Sequence, residues 1–211
     1  MIIQNINGIL SGLPKGVELV AATKTRTIEE ILQAIKAGVK IVGENYVQEA
    51  ESKFLKIGNK VKWHLIGHLQ SNKVKKAVKI FDCIETVDSI DLAKMIDKEC
   101  AKINKNIEVM IEVNSGREPQ KSGSMPEDVL ALAREIVILK NVKLIGLMTM
   151  GFAQGGDELK EQFMVTKQIF DKINDTIPLS YLSMGMSGSY KLAITQGANL
   201  VRLGTIIFGA R

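Results

Sequence analysis

The sequence has little of what many site chemistries draw on. Across 211 residues there are two cysteines, Cys83 and Cys100, and two histidines, His64 and His68. The cysteines are too few and too far apart in sequence for a zinc knuckle or a C-x-x-C redox pair, and they read as reduced core thiols. Two histidines cannot build a three-histidine metal site, and no run of carboxylates suggests a hard-cation cage. No apolar run approaches the roughly 18 residues of a membrane span. The opening Met-Ile-Ile-Gln-Asn-Ile-Asn has no basic n-region, so a secretory signal is not expected and a cytoplasmic location is. Linkers, low-complexity stretches and composition shifts are also missing, so residues 1–211 read as a single domain.

What is present is an ordinary globular composition, 45% apolar and 24% charged, which argues against disorder. The formal charge of +5 is a mild excess that favours anionic ligands without demanding nucleic acid. Lys73, Lys75, Lys76 and Lys79 are spread around a helix without an aromatic stacking platform, and read as a solvated face.

Short β-branched apolar runs alternate with segments of helical period, the pattern of parallel βα units. The runs are Val17–Lys24, Ile41–Asn45, Val61–Gly67, Phe81–Val87, Ile107–Asn114, Val142–Gly151, Tyr181–Met186 and Leu200–Phe208. Helices are predicted over Thr27–Ala37, Val47–Ile57, Ser71–Val78, Ser89–Ile103, Pro126–Leu139, Glu158–Ile173 and Tyr190–Gln196, with an extra helix in Met1–Leu13 ahead of the first strand. Thr27 and Glu30 have capping-box spacing, and Ser89 suits a helix start. Eight strands with helical crossovers predict a (β/α)₈ barrel, a TIM barrel, with an open doubly wound sheet as the alternative. After the last run come only Gly209-Ala210-Arg211, so no second domain is expected at that end.

In such a barrel the chemistry collects at the C-terminal ends of the strands. Lys24 ends the first run and Asn45 the second. A lysine at that mouth can be desolvated, which lowers its pKa and exposes a neutral amine able to form a Schiff base with an aldehyde; the alternative is a lysine reaching out to water. The loops after the last two strands contain Met184-Gly185-Met186-Ser187-Gly188-Ser189 and Arg202-Leu203-Gly204-Thr205. Their hydroxyls and glycines suit close approach to a phosphate, or ordinary turn and capping chemistry. Together with Lys24 they suggest an aldehyde that carries a phosphate. Arg202 shares strand parity with Gly204 and should face the interior, where it needs an acid such as Glu44 or Glu112, or a ring nitrogen of a bound heteroaromatic. The polar loop 114–125, with Gly116, Arg117, Lys121 and Gly123, reads as a flexible rim, and Lys121 as a possible second amine for the aldehyde.

Several stretches carry a resemblance: Ala-Ala-Thr-Lys-Thr-Arg at 21–26, Gly-Glu-Asn-Tyr-Val-Gln-Glu at 43–49, Trp-His-Leu-Ile-Gly-His-Leu-Gln-Ser-Asn-Lys at 63–73, Leu-Ser-Met-Gly-Met-Ser at 182–187 and Val-Arg-Leu-Gly-Thr-Ile-Ile-Phe-Gly at 201–209. They span nearly the whole chain, which resembles the pyridoxal phosphate homeostasis family, single-domain relatives of the alanine racemase barrel. The resemblance implies that Lys24 holds pyridoxal 5′-phosphate as a Schiff base and that Asn45 lies beside the phenolic oxygen. It further implies that Ser187, Gly204 and Thr205 bind the phosphate and that Arg202 faces the pyridine nitrogen. Met184 and His64 carry over more weakly, as neighbours of the ring or of the residues around it, and core packing is the favoured reading for each. Gly188 and Ser189 depart from the acidic residues the family often has there, which should leave the cofactor site intact.

An arginine at the ring nitrogen donates to an unprotonated pyridine and weakens its use as an electron sink. The leading expectation is therefore a cytoplasmic, monomeric protein that stores, buffers or hands over pyridoxal phosphate to apo-enzymes without committed turnover. A racemase-like enzyme is the alternative, and a lysine-dependent aldolase acting on sugar phosphates a more distant one.

Overall fold

The computed structural model describes residues 1–151 and 156–210; Arg211, the last residue of the predicted tail, lies outside them. Eight parallel strands close into a barrel in sequence order, the last pairing with the first. They are β1 (Glu18–Ala22), β2 (Ile41–Glu44), β3 (Lys62–Leu65), β4 (Cys83–Val87), β5 (Ile107–Glu112), β6 (Val142–Met148), β7 (Tyr181–Ser183) and β8 (Leu200–Leu203). The barrel reading stands and the open sheet is excluded.

The surrounding helices are α1 (Ile2–Gly12), α2 (Ile28–Lys36), α3 (Val47–Ile57), α4 (Val74–Ile80), α5 (Ile90–Lys102), α6 (Val129–Ile136), α7 (Asp157–Asn174), α8 (Tyr190–Thr195) and α9 (Thr205–Phe208). Helix α1 is the extra N-terminal helix. The capping box forms as spaced: the Glu30 N–H donates to Thr27 Oγ1 at 3.2 Å and the Thr27 N–H donates to Glu30 Oε2 at 2.8 Å. Ser89 accepts from the Leu92 N–H at the start of α5. None of the helices is long and apolar enough to cross a membrane, among the described residues.

Two differences bear on function. The run 200–208 is not one strand: β8 stops at Leu203 and Thr205–Phe208 form a single helical turn. The β-branched sequence Thr-Ile-Ile hides that turn, because packing of Ile207 and Phe208 overrides local preference. The loop 114–125 is folded back on its own strand, where the Asn114 N–H donates to the Ser124 carbonyl at 2.9 Å and the Ser124 N–H donates to the Glu112 carbonyl at 2.8 Å.

Side chains alternate along the strands, interrupted by register shifts such as the one in the β5–β6 pairing, and this sorts the core into two layers. Val20, Ile41, Ile66, Cys83, Met110, Ile145, Met148 and Leu200 pack inside the barrel. A larger shell, from Leu19 and Trp63 to Phe163 and Leu203, fills the space between strands and helices. Both cysteines are free and buried.

Candidate functional site

Inward parity continues past the strand ends and chooses what lines the mouth. Val20 points inward on β1, so Ala22 and Lys24 follow it. Ile41 does so on β2, so Asn45 follows; Leu200 does so on β8, so Arg202 and Gly204 follow. These residues meet Ile66, Met150, Met186, Ser187, Gly188 and Thr205 around a cavity of about 330 Å³. Six of the seven residues singled out for a cofactor are therefore brought together. The seventh, Met184, is not. It has outward parity on the β7 side, is fully buried in the shell facing the helices, and Met186 lines the cavity in its stead.

The turn carrying Lys24 is fixed by charges beneath it. Thr25 has φ of 64°, a left-handed conformation that a β-branched residue rarely adopts and that costs about 1–3 kcal/mol. Its N–H donates to Glu49 Oε1 at 2.5 Å. The ammonium of Lys53 donates to the same Glu49 oxygen, to Glu44 Oε1 and to the Thr23 carbonyl, each at 2.7 Å. Burial pushes the Glu44 carboxyl up, against the pull of Lys53 and Thr23. The acids of the 43–49 stretch thus hold the β1 turn. Arg26 ties that turn to α9 by donating to the Gly209 carbonyl at 2.6 Å.

The phosphate-type wall is made by Ser187, whose Oγ accepts from the N–H of Gly204 at 3.2 Å and of Ile206 at 3.4 Å. Two backbone donors and a hydroxyl converge there. Ser189 is occupied as an acceptor for the Met186 N–H at 3.1 Å. A Cβ on Gly188 would meet nothing within 4 Å, and one on Gly204 would meet only Ala22 atoms at 3.4 and 3.5 Å. With φ of −123°, Gly204 does not need to be glycine for its backbone. Its missing side chain leaves room in the cavity. Gly67 is different: a Cβ there would stand 2.4 Å from the Asn45 carbonyl oxygen, so glycine is what lets Asn45 lie against the neighbouring strand.

Arg202 forms the floor. Its expected acid, Glu44 or Glu112, is not its partner: Glu44 is taken by Lys53, and Arg202 pairs with Glu85 on β4. Nη1 donates to Ser183 Oγ at 2.6 Å and stands 3.9 Å from Glu85 Oε2; Nη2 donates to the Thr149 carbonyl at 2.8 Å. Ser183 donates to Glu85 Oε2 at 2.6 Å, and His64 Nδ1 meets Glu85 Oε1 at 2.7 Å. The hydrogen bonds of the guanidinium run through its two terminal nitrogens, Nη1 and Nη2. Burial alone would push the Glu85 carboxyl up, but His64, Arg202 and Ser183 overcome it and hold it below the usual range. His64 is thus a support beneath the floor, two bonds removed from the guanidinium. Glu85 was the missed residue, and its signal was a lone acid within the apolar run Cys-Ile-Glu-Thr-Val.

Lys121 stands at the rim of a neighbouring cavity, where its ammonium donates to the Gly151 carbonyl at 3.2 Å and pairs with Glu118 at 2.5 Å.

The family described as alanine racemase, N-terminal domain, matches residues 1–211. The chain belongs to that family. Among its relatives, the pyridoxal phosphate homeostasis protein of Synechocystis is 38% identical over 210 residues, covering 96% of this chain and 95% of that protein. The protein of the same name from Schizosaccharomyces pombe is 37% identical, covering 93% and 85%. PipY of Synechococcus elongatus, solved without PLP, superposes with a TM-score of 0.94 at 33% identity over 99% of this chain and 100% of that one. The same protein with PLP bound gives 0.91. An alanine racemase of Clostridium difficile gives 0.88 at 18% identity, with this chain covering 56% of it, a likeness of fold alone. The resemblance carried by the five stretches stands.

Proposed function

We propose that this chain binds pyridoxal 5′-phosphate and serves its homeostasis, storing, buffering or handing over the cofactor as a cytoplasmic monomer. The observation that carries the reading is the convergence, in one cavity, of a lysine amine, a hydroxyl with two backbone donors, and a buried guanidinium. These groups match an aldehyde, a phosphate and a ring nitrogen. The homologues named for the cofactor, and PipY with PLP bound, support it.

When bound, the cofactor supplies an aldehyde carbon that a primary amine can hold covalently. Lys24 is that amine in our reading. Ser187, Gly204 and Thr205 would hold the phosphate, Asn45 would stand at the ring's oxygen edge, and Arg202 would donate to the ring nitrogen. Because arginine keeps its proton, it does not protonate the ring, which disfavours carbanion chemistry. Among the described residues, the cavity wall adds no second base to Lys24 of the kind a two-base racemisation needs. Both points support a carrier without committed turnover, with apo-enzymes as acceptors.

Borohydride reduction after reconstitution tests the site. The phosphopyridoxyl mass is expected on the peptide carrying Lys24 and is expected to vanish in Lys24→Ala; label on a different lysine would overturn the assignment. Incubation of the holoprotein with L-alanine in deuterated water tests the carrier reading. Steady α-deuterium incorporation that depends on Lys24 would make it an enzyme.

A further inference from the structure

A second cavity, of about 250 Å³, opens on the β5–β6 side of the mouth and shares Asn45, Ile66 and Met150 with the Lys24 cavity. Glu112, the last residue of β5, lines it with inward parity and is 7% exposed. Its Oε2 is sealed from solvent and has no hydrogen-bond partner among the described residues. The other groups of the wall have partners: Lys121 pairs with Glu118 at 2.5 Å, and His68 Nδ1 lies 3.2 Å from Ser122 Oγ. Arg202 turns its two terminal nitrogens to Ser183, Thr149 and Glu85. One carboxyl is thus left over in the wall of the annex.

An unpartnered buried carboxyl is destabilising unless something completes it. An anionic ligand would meet Glu112 and Glu118 together. A neutral one would leave the carboxylate without a counter-charge. A cation with N–H donors supplies the counter-charge that the Glu112 carboxyl lacks. The volume falls below the roughly 300 Å³ at which drug-sized ligand sites begin, which restricts the occupant to a small molecule. We propose that this annex is a subsite for a small molecule bearing a primary ammonium group, with Glu112 as its carboxylate partner. Burial pushes the Glu112 carboxyl up to about 7, so a bound cation also stabilises its charged form. The inference does not depend on the cofactor reading, because Glu112 and residues 113–116 line the annex and not the Lys24 cavity. The shared residues would make the two occupants neighbours.

The test uses the full chain without added cofactor and follows its backbone amides by NMR during titration with n-propylammonium chloride, L-norvaline and, as a neutral control, n-propanol. Saturable shifts are expected at residues 113–116 and 149–151 with at least one amine and not with the alcohol. Tighter binding of norvaline identifies an amino acid as the occupant, and tighter binding of propylammonium a simple amine. Glu112→Gln is expected to weaken amine binding at least tenfold, Glu112→Asp to weaken it less, and Lys24→Ala to leave it unchanged. The absence of saturable shifts with either amine, equal response to the alcohol, or full affinity in a folded Glu112→Gln protein would overturn the proposal. Failure of borohydride labelling at Lys24 would leave all of these readouts in place.

Discussion

Glu85 and Glu112 lie on adjacent strands, both point into the barrel, and both are nearly sealed from solvent, yet they titrate in opposite directions. Burial is the largest influence on each and raises both. Glu85 receives His64, Ser183 and Arg202, and ends below the usual carboxylate range. Glu112 is raised further by the charge of Asp88, is lowered only at a distance by Arg202 and Lys121, and ends at about 7. Depth in the barrel does not decide what a buried acid does. A carboxyl surrounded by donors becomes part of the frame that aims Arg202 into the Lys24 cavity. One left without donors is a standing requirement for a ligand, or a proton.

The largest effect is expected where that frame is cut. Arg202→Met leaves Glu85 charged in the interior with His64 and Ser183 as its remaining partners, and should lower stability by about 3–5 kcal/mol in urea denaturation at neutral pH. Adding Glu85→Gln should recover much of it. If the single variant loses less than about 1 kcal/mol, the guanidinium is not holding Glu85 and the contrast between the two acids fails.

The annex responds with the opposite sign. Glu112 ionises at about 7 in the folded protein and at 4.5 in an unconstrained chain, so between these values the folded state holds more protons. Its effect on stability is therefore nil below pH 4.5 and becomes a growing penalty as pH rises through that window, complete above 7. Glu112→Gln removes the ionisation. It should stabilise the protein by on the order of 2–3 kcal/mol at about pH 8.5 and leave it nearly unchanged at acid pH. Glu85 behaves oppositely: its contribution is present above 4.5 and is lost as pH falls through its depressed folded value. Thermal melts of the wild type and Glu112→Gln across this range separate the two, and a Gln variant less stable at high pH would mean Glu112 has a partner after all.

How much of this was readable in the chain differs between the same two regions. The barrel followed from strand-length apolar runs alternating with helical stripes, and inward parity placed Lys24, Asn45, Arg202 and Gly204 at one mouth, because alternation is a local property that survives folding. Which acid Arg202 meets is not local. It depends on how distant strands face each other across the barrel and on register shifts, such as those between Ile84 and Val87 and between Val109 and Met110. The sequence offered Glu44 and Glu112; the fold uses Glu85. Met184 shows the same limit in reverse: the motif it shares with Ser187 suggests the ring, but its parity turns it away from the cavity into the core packing favoured for it. The annex left no motif at all, since a lone glutamate at a strand end reads like any other acid until its missing partners can be counted.

The smaller predictions sharpen the Lys24 side. Ser187→Ala should weaken pyridoxal phosphate about tenfold and pyridoxal hardly at all, because a hydrogen bond to a charged group contributes about 1.5–3 kcal/mol and the freed N–H groups of Gly204 and Ile206 make up part of the loss. Gly204→Ala is the finer test. Its backbone needs no glycine, and the added Cβ approaches only Ala22 at 3.4 and 3.5 Å, so the cofactor-free protein should unfold within about 0.5 kcal/mol of wild type. The same methyl stands in the wall where the phosphate is proposed to lie. Affinity for pyridoxal phosphate, followed by absorbance titration, should fall severalfold while affinity for the annex's amine probes does not move. A variant that loses stability instead, or that binds pyridoxal phosphate as tightly as wild type, would mean the glycine is kept for packing and that the phosphate wall lies elsewhere on the rim.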